Sequence, residues 1–401
     1  MRSSSSRSRS PTFLRKVVLP LLAMGLLAAG VWWAVGDRVR AELYERGWLH
    51  DARVFDPSRL GASDGVLSET DARVFYAGLR NPNSSKQYDP VAGVVLEPGF
   101  EQDLDWPEHP TGSLRFRTNN LGFREDGPTD PDRKGLRVLV VGDSHTEGAV
   151  LNRESYANVL EQLISEALGA PVEVLNAGVG GTGPYAFLGS IHKHLALEPD
   201  LVIAALYTGN DFANALLMSD HLEGRQRKPR SEEYMDGLGR AQEVEGWAAI
   251  MPQGFNQAYL FRYLGAQDSE LALEAAVGFY REMARVCAAA GADFLTVVIP
   301  TKPDVDGLAG RAMSEALLAG LSLEVEDFAL NRQLGQRFVA ALGAEGILCV
   351  EPTGVFERSG TELYWRRDHH LNVAGHALLA EQLLLPVRES LAGSLNRLGE
   401  R

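Results

Sequence analysis

The sequence predicts an α/β fold in which a parallel β-sheet is covered by helices on both faces. Short apolar runs rich in β-branched residues alternate with helical patterns, and short loops join them. Such alternation implies right-handed crossovers between parallel strands. Polar residues also fall where the apolar runs end, and open α/β sheets place their ligand sites at the carboxyl ends of their strands.

The main domain, 135–395, is expected to contain five strands and six helices. The first strand, Leu136 with Val138–Val141, is an apolar run typical of a strand buried on both faces. The other strands are expected at 172–175, 201–207, 293–299 and 347–350, and the helices at about 155–168, 185–195, 269–290, 313–319, 324–342 and 374–391. An irregular polar insertion, 212–268, is expected to affect substrate choice more than stability.

The N-terminal residues differ in kind from the rest of the chain. A Ser-rich tail, 1–16, has five basic residues and no acidic one, and nineteen residues without a charge follow at 17–35. A helix of that length crosses a hydrocarbon layer of about 30 Å, with its basic flank in the cytoplasm. We therefore expect a transmembrane signal anchor and an extracytoplasmic body. A cleaved signal peptide, with a weak site at Ala28-Ala29-Gly30, and a buried apolar helix of a cytosolic chain are the alternatives.

The segment 36–134 between the anchor and the main domain has no convincing core of its own. Short apolar stretches alternate there with Pro, Gly, Asn and Asp, and strands are expected at 94–96 and 113–117. We interpret it as a lead-in region of loops and a few strands that packs on the main domain.

Charge and cysteine content exclude two classes of function. The net charge of −14 argues against a nucleic-acid partner, because phosphate contacts need clusters of Lys and Arg. The two cysteines, Cys287 and Cys349, lack the spacing of a metal site and are expected to be free thiols, with one disulfide as the alternative.

A candidate nucleophile, Ser144, follows the first strand in the run Gly142-Asp143-Ser144. A serine hydroxyl needs a base, usually a histidine that a carboxylate orients. His370 is the candidate base, and Asp368, two residues earlier, projects toward the same side in an extended or turn segment. The competing interpretations are a Gly-Asp turn with Ser144 as a helix N-cap, and Asp368 as the cap of the last helix.

Three groups are candidate donors to an oxyanion: the backbone amides of Ser144 and Gly181 and the side-chain amide of Asn210. Asn210 could instead form a turn or cap a helix, and Gly178, Gly180 and Gly183 could share turn geometry with Gly181.

Three other histidines compete for attention near these residues. His369 is the rival base, but we expect a surface or supporting role because adjacent side chains point apart. His376 is expected to be structural. His145 follows the candidate nucleophile and could line the pocket, and we assign it no chemistry.

Four blocks of this chain resemble, in order, those of the SGNH/GDSL hydrolase superfamily. They are Gly142-Asp143-Ser144, the glycine loop 176–181, Gly209-Asn210-Asp211, and Asp368 with His370. The resemblance implies a flavodoxin-like three-layer α/β/α sandwich, Ser144 as nucleophile, Gly181 and Asn210 as oxyanion donors, and His370 as base.

One position departs from the commonest pattern of that superfamily. Asp-x-x-His would place an aspartate three residues before His370, where Arg367 stands. The Asp-x-His-Leu-Asn form, and the lead-in run from Asn119 to Arg124, look more like the membrane-anchored bacterial branch. The Asp-x-His-Leu-Asn form is also similar to alginate-type O-acetyltransferases.

The sequence therefore predicts a membrane-anchored, extracytoplasmic serine esterase that acts on an acyl ester or acylated glycan with no metal or organic cofactor. An O-acyltransferase that modifies an envelope or exported polysaccharide would use the same residues, with a sugar hydroxyl in place of water. A non-catalytic envelope protein is the third interpretation.

Overall fold

The computed structural model describes residues 67–399, apart from 82, 133–134, 226–229 and 309–311. The expected basic tail and signal anchor, 1–35, lie outside the described residues, as does the start of the lead-in region. Within the described part, no helix combines the length and apolar character needed to cross a membrane.

Nine strands and fifteen α-helices make up this part of the chain. The strands are β1 Lys86–Asp89, β2 Gly93–Leu96, β3 Glu101–Asp105, β4 Ser113–Arg117, β5 Leu136–Val141, β6 Val172–Asn176, β7 Leu201–Tyr207, β8 Asp293–Ile299 and β9 Leu348–Val350. The helices are α1 Glu69–Phe75, α2 Ser144–Glu147, α3 Tyr156–Leu168, α4 Pro184–His194, α5 Asp211–Glu223, α6 Glu232–Gln242, α7 Trp247–Ile250, α8 Phe255–Leu264, α9 Ala266–Ala290, α10 Lys302–Asp306, α11 Ala312–Leu321, α12 Val325–Phe328, α13 Leu330–Ala344, α14 Thr353–Arg358 and α15 Val373–Gly399.

The last five strands form one parallel sheet in the order β6-β5-β7-β8-β9. This is the flavodoxin-like strand order, and the predicted parallel α/β architecture is confirmed. The chain changes its direction of winding between β5 and β7. A crevice is therefore expected at the carboxyl ends of these two strands, where such sheets bind their ligands.

Apolar side chains of alternate residues cover the two faces of the sheet and build a three-layer sandwich. Leu139 and Val141 of β5 belong to a core cluster with α4, α5, α9 and α13. Val138 and Val140 belong to a second cluster with α3 and α15. Every residue of β5, β6 and β7 is buried, as predicted for strands covered on both faces.

Arg137 is a charged residue inside the otherwise apolar β5. Its Nε donates to Glu173 Oε2 at 2.6 Å, its Nη1 to the Leu197 carbonyl at 2.5 Å and its Nη2 to the Asp130 carbonyl at 2.7 Å. A buried guanidinium with a carboxylate and two carbonyl partners is compatible with a core strand. The contact with Asp130 also ties the lead-in region to the sheet.

The lead-in region contributes two antiparallel hairpins, β1–β2 and β3–β4. The strands predicted at 94–96 and 113–117 are β2 and β4, and their partner strands were not predicted. Leu96 and Phe116 belong to the same core cluster as Leu139 of the sheet. The described part of the lead-in region therefore packs on the main domain, as expected.

The expectation of an irregular insertion at 212–268 is wrong, because α5, α6, α7 and α8 occupy most of it. Phe212 and Phe255 are fully buried, and Gln257 Nε2 donates to the Thr208 carbonyl at 2.7 Å and to Asn331 Oδ1 at 2.8 Å. Glycines with positive φ separate these short helices and conceal their apolar spacing in the sequence. Deleting the segment would therefore destabilise the fold, contrary to the expectation that it affects substrate choice more than stability.

Both cysteines are free, which confirms the thiol prediction over a disulfide. Cys287 is buried, and burial raises its pKa to about 12. Cys349 is half-buried, and burial raises its pKa to about 11. Both thiols are therefore protonated near neutral pH and are poor nucleophiles.

Candidate active site

Ser144 lies at the carboxyl end of the central strand β5, as the first residue of the one-turn helix α2. Asp143, not Ser144, is the N-cap, and its Oδ1 accepts a hydrogen bond from His145 N at 2.9 Å. A Cβ on Gly142 would lie 2.0 Å from Thr146 Oγ1, so this turn needs glycine. Because Asp143 is the N-cap, the interpretation of Ser144 as a helix cap is excluded. The Ser144 side chain is half-buried at the carboxyl end of β5.

His370 lies in the loop before α15 and is bonded to Asp368. His370 Nδ1 is 2.5 Å from Asp368 Oδ1, and the same oxygen accepts the backbone N–H of His370 at 2.8 Å. His370 Nε2 is buried and has no hydrogen-bond partner among the described residues. The N-terminal turn of α15 is capped by Asn372 Oδ1, which accepts from Gly375 N at 3.0 Å, so Asp368 is free for the histidine.

The pairing changes the protonation of both side chains. Burial by itself would lower the pKa of His370, but the hydrogen bond and charge of Asp368, aided by Asp143 and Glu147, raise this pKa above its ordinary value. Burial opposes ionisation of Asp368, yet its contacts with His370 lower its pKa to about 2. The pair therefore consists of a carboxylate and an imidazole that it makes more basic.

Ser144 and His370 line one cavity of about 170 Å³. Its other lining residues are Leu104, Trp106, Leu114, Phe116, Arg124, Glu147, Gly148, Ala149 and Val150. The apolar wall comes mainly from the β3–β4 hairpin of the lead-in region, which sequence reasoning did not connect with the site. The hairpin pattern alone gave no signal of this contact.

The glycine loop after β6 packs directly against Ser144. A Cβ on Gly180 would lie 3.2 Å from Ser144 Cβ, so the close approach occurs at Gly180. Gly181 has φ +71°, and a Cβ there would meet no atom within 4 Å. The need for glycine at 181 therefore comes from its left-handed backbone conformation.

Asn210 lies at the end of β7, across the sheet's switch point from Ser144. It occupies the N-cap position of α5, but its side chain makes no capping hydrogen bond and its Oδ1 is buried without a partner among the described residues. Neither Asn210 nor Gly181 is among the described residues that line the cavity. The structure thus joins Ser144, His370 and Asp368, and places the two other predicted residues on neighbouring loops.

Residues 140–378 match the model of the GDSL-like Lipase/Acylhydrolase family. The chain belongs to this family. It is a serine hydrolase of the SGNH/GDSL superfamily, which confirms the resemblance of the four sequence blocks.

Several solved structures are similar to this acylhydrolase. LAE5, an α/β hydrolase from the metagenome of Lake Arreo, Spain, is 15% identical with a TM-score of 0.34, covering 64% of this chain and 96% of that one. A putative acylhydrolase from Bacteroides fragilis is 14% identical with a TM-score of 0.34, covering 66% and 91%. The acetyl xylan esterase AlAXEase is 14% identical with a TM-score of 0.32, covering 63% and 100%. No curated protein sequence matches the chain.

His369 of the acylhydrolase lies close to His370, not on an open surface. Their ring centroids are 3.8 Å apart, but His369 Nδ1 is 4.0 Å from Asp368 Oδ1, against 2.5 Å for His370. Burial and the charge of His370 lower the pKa of His369 to about 3. These three side chains also place potential metal-ligand atoms within 4.8 Å of one another, although an ion there would compete with the Asp368–His370 hydrogen bond.

His376 and His145 are buried beside the site. His376 Nδ1 accepts the backbone N–H of Tyr156 at 3.1 Å, which fits the predicted structural role. His145 is fully buried, with its ring centroid 3.9 Å from that of Tyr207 and 5.1 Å from that of His370. It is not among the described residues that line the cavity, so that expectation is wrong.

Proposed function

We propose that this acylhydrolase cleaves a carboxylic ester by a Ser144–His370–Asp368 mechanism. The observation that carries the proposal is that Ser144 and His370 line the same cavity while Asp368 holds the far nitrogen of the imidazole. With Nδ1 protonated toward Asp368, the unpartnered Nε2 is left as the acceptor of the serine proton.

In the first step, Ser144 Oγ attacks the ester carbonyl carbon and its proton passes to His370 Nε2. Asp368 stabilises the imidazolium that forms. The C–O bond to the alcohol then breaks, the proton passes to the departing alcohol oxygen, and an acyl-Ser144 ester remains. Water, deprotonated by His370, then attacks the carbonyl carbon of this ester. The C–O bond to Ser144 breaks, His370 returns the proton to Ser144 Oγ, and the acid is released.

The oxyanion is proposed to be bound by the amides of Ser144 and Gly181 and by the Asn210 side chain. The three residues before Gly181 in the glycine loop already use their N–H groups. Gly178 N donates to Asn176 Oδ1 at 3.0 Å, Val179 N to the Gly142 carbonyl at 3.0 Å, and Gly180 N to Glu147 Oε2 at 2.6 Å. This pattern favours Gly181 as the donor in the loop.

The test is to assay short p-nitrophenyl esters with the wild type and Ser144→Ala, and to label both with a fluorophosphonate. We expect turnover and a single adduct at Ser144 in the wild type, and neither in the variant. Retained turnover in a folded Ser144→Ala protein, or labelling at another serine, would refute the mechanism.

An O-acyltransferase is the second candidate, because it would follow the same first step. The Asp368-His369-His370-Leu371-Asn372 run and the apolar cavity wall, which limits water, favour it. A free glycan added to the ester assay separates the two functions. Transfer to the glycan with little release of free acid supports the transferase, and acid release unaffected by the glycan supports the hydrolase.

We also propose that the enzyme is held at the bacterial cell membrane by 17–35 with its catalytic domain outside the cytoplasm. The charge-free run and its basic flank support this topology. The full chain is expected in the membrane fraction of cells. Its catalytic domain is expected to be cleaved by added protease once the cell envelope outside the cytoplasmic membrane has been made permeable. Recovery of the intact full chain in the soluble cytosolic fraction would refute the proposal.

A further inference from the structure

Arg124 is a fully buried arginine on the wall of the cavity that contains Ser144 and His370. It precedes β5 and lies outside the residues that the family model matches. Its Nη2 donates to the Val150 carbonyl at 2.8 Å, and its guanidinium lies 3.9 Å from the centre of the Phe116 ring. Its Nε and Nη1 have no hydrogen-bond partner among the described residues.

This guanidinium is a cation with unused donors. Burial lowers the pKa of Arg124 to about 10, so it stays protonated near neutral pH. A buried charge is costly unless it is paired and hydrogen-bonded, and the π-face of Phe116 supplies only part of the lost hydration. Buried Arg137, with a carboxylate and two carbonyl partners, shows how this fold satisfies a guanidinium that has a structural role.

The neighbouring carboxyl groups do not hydrogen-bond to Arg124 and are engaged elsewhere. Glu147 Oε2 accepts the backbone N–H of Gly180 at 2.6 Å and lies 3.9 Å from Lys86 Nζ. Burial raises the pKa of Glu125 to about 8, and its Oε1 accepts from Asn176 N at 3.0 Å. Arg124 Nε and Nη1 therefore lack a hydrogen-bond acceptor among the described residues, and the charges of Glu147, Glu125 and Asp126 act on the guanidinium without a hydrogen bond to it.

We propose that Arg124 binds a carboxylate on the alcohol part of the ester, so that the substrate is an ester of an anionic alcohol. This inference rests on the proposed function: His370 returns its proton to the departing alcohol, and the alcohol part therefore lies in the cavity that His370 lines. A carboxylate there would accept from the unused N–H groups and form a direct ion pair with the guanidinium.

The experiment compares two acetyl esters that differ in one charge, 3-acetoxybenzoate and its methyl ester. For each we measure kcat/KM with the wild type and with Arg124→Gln, and take the selectivity as the ratio of the anionic to the neutral ester. Comparing this ratio between the wild type and Arg124→Gln cancels the difference in intrinsic reactivity between the two esters. We expect the selectivity to fall about tenfold or more in Arg124→Gln, as for loss of a hydrogen bond between charged groups, and to be partly kept in Arg124→Lys.

The matched control is Arg115→Gln, which removes an exposed charge from β4 and is expected to leave the selectivity unchanged. An equal loss on both esters in Arg124→Gln would overturn the inference and indicate a structural role. No turnover of either ester by the wild type would instead refute the proposed function.

A second measurement needs no variant and covers the case in which Arg124→Gln fails to fold. The products 3-hydroxybenzoate and methyl 3-hydroxybenzoate are compared as inhibitors of wild-type turnover of a neutral ester. We expect the carboxylate to inhibit about tenfold or more tightly. Equal inhibition constants, or tighter binding of the methyl ester, would overturn the inference.

Discussion

Glu108, at the turn of the β3–β4 hairpin, holds the backbone of Arg367 beside the candidate catalytic pair. Its Oε1 accepts the N–H of Arg367 at 2.8 Å, and its Oε2 accepts the N–H of Arg366 at 2.7 Å. Arg367, which stands where the commonest superfamily pattern has aspartate, thus contributes its backbone to the site. The lead-in region both walls the cavity and fixes the loop that carries Asp368 and His370.

Removing this clamp should reduce turnover more than it reduces folding stability. In Glu108→Ala two backbone donors lose a charged acceptor, and the His370 loop gains alternative positions. We expect kcat to fall about 10- to 100-fold, with a smaller change in KM. The measurement is steady-state kinetics on a p-nitrophenyl ester, beside thermal unfolding of the same samples.

The control for this prediction is Asp103→Ala, which removes an exposed carboxylate from β3 of the same hairpin. Its kcat is expected to match that of the wild type. Wild-type kcat in Glu108→Ala would show that the loop keeps its position without the clamp.

The acidic limb of the pH–rate profile should report the Asp368–His370 pair. Catalysis needs neutral His370, and Asp368 raises the pKa of His370 above its ordinary value, so kcat/KM should fall below a midpoint above about 6.5. In Asp368→Asn the raising influence is lost while burial remains. The midpoint should move to lower pH, and the plateau should fall roughly 10²- to 10⁴-fold. An unchanged midpoint in Asp368→Asn would show that another carboxylate sets the pKa of His370.

Replacing His369 and His370 with asparagine, one at a time, should identify the catalytic base. His369 lies 4.0 Å from Asp368, and its lowered pKa keeps it neutral, so His369→Asn should keep kcat within about threefold. His370→Asn removes the proton acceptor and should lose about 10³-fold or more. Both variants are compared by kcat on one ester at one pH. The reverse order of losses would assign the base to His369.

The sheet and the Asp368–His370 pair could be predicted from the sequence because local sequence patterns determine them. A run such as 201–207 is apolar throughout and bounded by turns, so β7 was predicted at its observed bounds. Asp368 and His370 are two residues apart, and the Asx-type hydrogen bond between them needs no distant partner. Ser144 was recognised from its position after a buried strand.

Three features could not be predicted from the sequence, because contacts between distant segments create them. They are the cavity wall, the hydrogen bonds of Glu108 and the buried position of Arg124. Glu108 and Arg367 are separated by 259 residues along the chain, and nothing in either neighbourhood indicates the other. In the sequence Arg124 ends the turn-like run that begins at Asn119, and its contact with Phe116 depends on the fold. The helices of 211–264 were missed for two reasons. Most residues of α5 are buried, so it lacks an apolar–polar period, and glycines separate α6, α7 and α8 into short pieces.

The N-cap carboxyl of Asp143 should make the stability of the enzyme depend on pH. Asp143 is buried, and burial raises its pKa to about 6, against the opposing hydrogen bond from His145 N. The charge of Glu147 raises the pKa of Asp143 further, and the charge of His370 opposes this rise. A carboxyl group whose pKa is higher in the folded state stabilises the fold below its unfolded pKa of about 4, and this contribution is lost as the pH rises through about 6.

Asp143→Asn keeps a side-chain oxygen for the cap and cannot ionise. Relative to the wild type, the variant should therefore gain stability between about pH 4 and about pH 7, by on the order of 1–3 kcal/mol. The measurement is urea unfolding of both proteins at several pH values, with the exposed Asp103→Asn as the control that should show no such gain. A constant difference between wild type and Asp143→Asn across this range would mean that Asp143 ionises as readily in the folded state as in the unfolded chain.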